Sequence, residues 1–208
     1  MADPKPVAPR PFEPQPFEPQ PVEPKPVAPR PFESKSPGPK PAGPRPDLTI
    51  REAHEDDWPR IWPIIHDVVT ARDTFTYDPD MSEDDARRIW LLPAPARVVV
   101  AVDGDLVLGT ANMYANRPGP GDHIASGSLM VAGKARGLGV GRALVTDMIN
   151  WARREGFAAI QFNAVADSNR SAIHLYESLG FTTLGIAPGA FRHPTEGHVG
   201  LRIMWLPL

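Results

Sequence analysis

Residues 128–145, SLMVAGKARGLGVGRALV, constrain this chain more than any other stretch. An apolar run gives way to three glycines, Gly137, Gly139 and Gly141, and then to apolar residues at helical spacing. The order reads as strand, tight turn, helix. Glycine lets a backbone approach a ligand closely, because no Cβ intervenes. A helix beginning near Val140 offers its unpaired N–H groups and positive dipole end to an anion. Arg136 and Arg142 flank the turn, and guanidinium pairs well with phosphate. Such a turn suits a diphosphate.

Two common nucleotide loops fail on spacing. A dinucleotide fingerprint needs G-x-G-x-x-G, and Arg142 stands where its third glycine belongs. A Walker A loop needs four residues between its first glycine and Gly-Lys. Here five separate Gly127 from Gly133-Lys134, and Ala135 replaces the metal-binding hydroxyl. The pattern Arg136-x-x-Gly139-x-Gly141 instead resembles the acetyl-CoA pyrophosphate loop of the GNAT acetyltransferase superfamily. The plainer reading is an ordinary glycine-rich turn, so the rest of the chain must decide.

Of 27 prolines, seventeen fall within residues 1–46 and ten in the remaining 162. Residues 4–33 repeat a five-residue unit: PKPVA, PRPFE, PQPFE, PQPVE, PKPVA, PRPFE. Proline this frequent removes backbone donors and fixes φ, which excludes helix and sheet interior. Residues 1–46 therefore read as a disordered, polyproline-II-rich tail. A ligand for a proline-recognising partner is the second reading. Residues 47–208 read as one domain with a full core. The whole chain is at −3 and the domain is the more acidic part, which argues against nucleic acid. No cysteine excludes disulfides, thiolate metal sites and a cysteine nucleophile, and His193 and His198 have no partners at metal-ligand spacing. No apolar run suggests a signal peptide or a membrane span, so the expected location is cytoplasmic.

Along 47–208 the patterns predict a strand at 48–52, helices at 55–70 and 82–92, and strands at 97–102 and 106–111 joined by Asp103-Gly104-Asp105. A strand ending at Val131, a helix over 140–155, a strand over 158–165, a helix over 171–179 and strands at 182–185 and 199–205 follow. This order, β-α-α-β-β-β-α-β-α-β-β, is similar to that of the GNAT fold. A second stretch, Asn169 through Leu175-Tyr176-Glu-Ser-Leu-Gly180-Phe181, also resembles the family. The expected fold is therefore α/β, a mixed central sheet splayed at a cofactor wedge and flanked by helices.

The resemblance implies that acetyl-CoA is the acyl donor. Its pantetheine arm would lie beside Met130 and Val131, and its diphosphate on Arg136, Gly137, Leu138, Gly139, Val140, Gly141 and Arg142, with Asn169 joining them. On the strand that follows, alternation puts Ile160, Phe162 and Ala164 on one face and Gln161 and Asn163 on the other. Polar groups on a central strand need partners: Gln161 reads as a structural bond, Asn163 as a catalytic residue. Tyr176 stands where the family keeps a thiolate-protonating tyrosine, although Ala172, Tyr176 and Leu179 also make one core stripe.

No carboxylate lies on the 124–131 strand, where several GNAT enzymes keep a glutamate base. Water or a backbone carbonyl, aided by Asn163 or His123, is left to take the amine proton. For the acceptor, residues 74–79, with Phe75 and Tyr77, and the ending from Gly189 resemble amino-acid-type enzymes such as the phosphinothricin and proline-analogue acetyltransferases. Ser126 stands where the latter place a substrate-binding asparagine. The acceptor expected from this is a small amino acid or a toxic analogue of one. Peptide acetylation and a weak acyl-CoA-binding module tethered by the tail are the alternatives. The resemblance also implies a homodimer.

Overall fold

The computed structural model describes residues 47–208. The repeat and tail expected over 1–46 lie outside them. Valine-rich and alternating runs form one seven-stranded sheet in the order β1-β2-β3-β4-β5-β7-β6. Its strands are β1 Thr49–Glu52, β2 Arg97–Asp103, β3 Leu106–Ala115, β4 Ile124–Val131, β5 Ala159–Ala166, β6 Thr182–His193 and β7 Gly197–Pro207. Every adjacent pair is antiparallel except β4 and β5. The helices are α1 Trp58–Ala71, α2 Glu83–Trp90, α3 Val140–Arg154 and α4 Arg170–Ser178.

β3 is buried at every residue from Val107 to Met113, so layers cover both of its faces. α1 and α3 both pack on β3 and β4. From α3, Leu144, Val145, Met148, Trp151 and Ala152 enter the core at helical spacing. Gly127 on β4 allows that approach: a Cβ there would stand 2.3 Å from the Asn112 carbonyl oxygen and 2.6 Å from Met148 Cε. α2 starts on the expected serine, since Ser82 Oγ accepts from the Asp85 N–H at 3.2 Å.

Three expectations need correction. The first helix begins at Trp58, with Pro59 in its opening turn where no N–H is needed, and residues Glu55–Asp57 form a short 3-10 turn. β6 runs to His193 rather than stopping near 185. Pro188 and Gly189 read as breakers, but β6 is an edge strand, and the register with β7 shifts between Ala187 and Phe191 to absorb them. The last correction is on β5, where Phe162 pairs Met204 and Val165 pairs Arg202. Three steps on β5 thus oppose two on β7, and this bulge breaks the alternation. Ala164 is exposed instead of sharing the buried face of Ile160 and Phe162, and Val165 turns inward.

Candidate active site

β4 and β5 pair only through Ile124 with Ala159 and Ala125 with Ile160. From Ser126 and Gln161 onward the strands diverge, leaving facing backbone edges without a sheet partner on that side. The opening is a cleft of about 1250 Å³. Its closed end is the last β4–β5 pair. Its mouth is flanked by the glycine turn that follows β4 and by residues 167–169 that follow β5.

At the mouth, Gly137 and Gly139 take φ values of 80° and 89°, conformations open to glycine without strain. Gly139 caps α3, and Ala143 is the first residue whose N–H closes onto the helix, at 3.0 Å from the Gly139 oxygen. The N–H groups before it are those a helix start leaves for an anion. Arg136 and Arg142 line the same space, and the Arg142 guanidinium donates to Ser178 Oγ at 2.8 Å. The partly buried Leu138 side chain packs against the core, and its N–H donates to the Ala135 oxygen at 3.3 Å.

Toward the closed end lies a polar cluster. Ser126 Oγ donates to the Gln161 carbonyl at 2.8 Å, bridging the strands just where their ladder stops. Asn163 Nδ2 donates to Asn116 Oδ1 at 2.7 Å and to Ser126 Oγ at 3.4 Å, while its Oδ1 accepts from Gln161 Nε2 at 2.8 Å. Ser126 is buried and its hydroxyl proton is spent on β5. Sequence spacing put Gln161 and Asn163 on one face, but Asn116 was missed, because it belongs to a connection beyond β3 with no local signal.

Met130 is 2% exposed, so its side chain belongs to the core and only its backbone edge faces the cleft. Val131, Phe75 and Tyr77 line the opening, the two aromatic rings lying 5.5 Å apart. Burial pushes the Tyr77 phenol up. Asn169 Oδ1 caps α4, accepting from the Ala172 N–H at 3.2 Å and from Ser171 Oγ at 3.0 Å. His123 is exposed and stays outside the cleft, its carbonyl accepting from Ala158 where β4 and β5 still pair.

Tyr176 is buried among the aromatic rings of the core. Its ring lies 4.7 Å from Phe162 and 5.8 Å from Phe181, and it also lines the cleft. Burial drives its phenol far above the usual range. Among the described residues its hydroxyl has no hydrogen-bond partner. His193 and Glu196, from the β6–β7 turn, form a further wall that sequence reading left unassigned. His193 Nδ1 accepts from the N–H groups of Thr195 and Glu196 at 3.3 and 3.1 Å.

A strand pair that splays over a glycine-capped helix start now stands beside the two sequence motifs. The model of the Acetyltransferase (GNAT) family matches residues 49–181. The chain belongs to the GNAT acetyltransferase family. It is similar to a GCN5-related N-acetyltransferase from Kribbella flavida, at 55% identity and a TM-score of 0.76, covering 77% of this chain and 98% of that one. It is also similar to a GNAT superfamily phosphinothricin acetyltransferase from Sinorhizobium meliloti, solved in complex with AcCoA. That match has 25% identity and a TM-score of 0.68, covering 77% and 88% of the two chains. N-acetyltransferase aca1 of Schizosaccharomyces pombe is 36% identical over 109 residues, 52% of this chain and 51% of that protein. The chain thus matches about half the length of that curated relative and less of the others. Acetyl-CoA is the acyl donor of this family, and the glycine turn and the wedge suit its diphosphate and arm. Among the described residues no helix is long and apolar enough to cross a membrane.

Proposed function

We propose that this GNAT chain moves the acetyl group of acetyl-CoA directly to the amine of a small amino acid or amino-acid analogue. The observation that carries the reading is the wedge between β4 and β5, with an anion-binding helix start at its mouth and an amide cluster at its closed end. Arg136, Gly137, Gly139, Gly141 and Arg142 hold the diphosphate. The free edges of Met130 and Val131 hold the arm, and Asn169 closes the mouth.

Asn163 then meets the amine. Both of its N–H protons are committed to Asn116 and Ser126, so what it offers the cleft is the remaining lone pair of Oδ1. That oxygen accepts from the amine and aims the nitrogen lone pair at the thioester carbonyl. A C–N bond forms as the C–S bond breaks, the electron pair stays on sulfur, and the Tyr176 hydroxyl delivers a proton to it and regains one from solvent before the next turnover. Water takes the proton that the amine loses. Alignment of the two reactants supplies several kcal/mol of the barrier reduction.

The amino-acid acceptor rests on the aromatic wall of Phe75 and Tyr77 and on the likeness to a phosphinothricin acetyltransferase. Ser126 shapes the cluster through Gln161 and Asn163 and does not touch substrate. The test is thiol release from acetyl-CoA against a panel of free amino acids, phosphinothricin, proline analogues and short peptides. Turnover on one or more free amino acids or analogues is expected. Turnover on peptides alone would overturn the acceptor class, and no turnover with retained acetyl-CoA binding would leave a binding module.

A further inference from the structure

Ser168 carries the one buried side-chain polar atom without a hydrogen-bond partner among the described residues, its Oγ. Native interiors leave few such atoms, because an unmade bond costs the full desolvation of the group. The position makes the orphan informative. Ser168 lies two residues past the end of β5, at the mouth of the wedge, and the residue as a whole is half-buried and lines the cleft.

Its neighbours are already committed. Asp167 Oδ1 accepts from Arg202 Nε at 2.6 Å, and Asn169 Oδ1 caps α4. The Asn169 N–H closes a turn onto the Ala166 oxygen at 2.9 Å, which holds the intervening serine in place. The Ser168 hydroxyl has no partner inside the chain, at a residue that lines the cleft.

We infer that Ser168 is a binding residue for the acyl donor: its hydroxyl donates to an amide carbonyl of the pantetheine arm. The inference rests on the acetyl-CoA reading above. The arm, rather than the diphosphate, is the partner because Ser168 stands in the turn that follows β5, across the wedge from the glycine turn and its arginines, which follow β4. An amide-bearing chain laid along the wedge reaches Ser168 as it leaves the strands.

The experiment is Ser168→Ala, with affinity for coenzyme A and for adenosine 3′,5′-bisphosphate measured by calorimetry and the Tm of the ligand-free protein measured alongside. Loss of one hydrogen bond should weaken coenzyme A about threefold to tenfold. Affinity for the bisphosphate, which lacks the arm, should hold. Because the ligand-free wild type gains nothing from an unpaired hydroxyl, the variant's Tm should stay level or rise. Unchanged coenzyme A affinity overturns the assignment, as does a fall in Tm that accompanies the affinity loss, since that would make the hydroxyl structural. Equal weakening of both ligands moves the contact to the nucleotide end and overturns the arm. Wild-type protein that binds neither ligand defeats the acetyl-CoA reading itself, a result distinct from all of these.

Discussion

Tyr176 holds its proton more tightly than an ordinary phenol, since burial among Phe162 and Phe181 disfavours the phenolate. A raised pKa keeps the acid form present across the whole working range, so no loss of kcat from Tyr176 ionisation is expected below about pH 10. Tyr176→Phe keeps the ring contacts and deletes only the hydroxyl. If that hydroxyl protonates the departing thiolate, kcat should fall about 10²-fold or more, with coenzyme A affinity and Tm unmoved. An unchanged single-turnover rate would leave Tyr176 as core filling. Among the glycines, the structure separates two that look alike in sequence. Gly139 needs its positive φ, so any side chain there strains the helix start as well as the site. Gly141 has an ordinary φ, and a Cβ there would make only ordinary contacts, with Leu175 Cδ2 at 3.4 Å, Val131 Cγ2 at 3.9 Å and Leu129 Cδ1 at 4.0 Å. Gly141→Ala is therefore the cleaner probe. Its Tm should hold while acetyl-CoA binding weakens by about tenfold, the scale of one lost bond to a charged group. Full affinity in the folded variant would refute the diphosphate assignment.

At the scale of elements, the junction of β1 and α1 depends on one buried carboxylate. Asp57 is 2% exposed, pairs with Arg51 through both oxygens at 2.6 and 2.8 Å, and accepts from the His54 N–H at 2.9 Å. Arg51 holds its pKa down to about 2, against an ordinary value of 3.8. The folded state therefore prefers the ionised form. That contribution is complete above about pH 4 and is lost as pH falls through 2, and it is worth on the order of 2 kcal/mol. Asp57→Asn keeps an acceptor for His54 but removes the charge. Chemical denaturation should show about that loss at pH 7 and a flatter stability curve between pH 4 and 2. An unaltered acid limb would mean that other carboxylates set it. The same junction shows why helix limits were only partly legible: Pro59 excludes little in a first turn, so the start depended on Asp57 finding Arg51.

Over the whole molecule, the match to the Kribbella flavida structure covers 98% of that chain with 77% of this one. A fold of that extent exists without a counterpart to the rest. We propose that residues 1–46 are dispensable for chemistry. A chain beginning at Asp47 should fold, with kcat and Tm close to those of the full chain. A lost transition or a drop in turnover would show that the repeat docks on the domain.

The fold was legible because its marks are local. Two glycine-punctuated motifs, Arg136 to Gly141 and Asn169 to Gly180, stand on the segments that carry them, and alternation or helical spacing identifies most elements around them. The glycine turn, Tyr176 and the aromatic pair Phe75 and Tyr77 all line the cleft. What local pattern does not contain is the register between distant strands. The bulge that exposes Ala164 and the absorption of Pro188 and Gly189 by an edge strand depend on neighbours far along the chain. So does the amide cluster: Asn116, Ser126, Gln161 and Asn163 meet only because β4 and β5 part at one particular pair. Residue chemistry names the kind of site, and strand pairing decides which of its polar groups are spent inside the protein and which remain for a substrate.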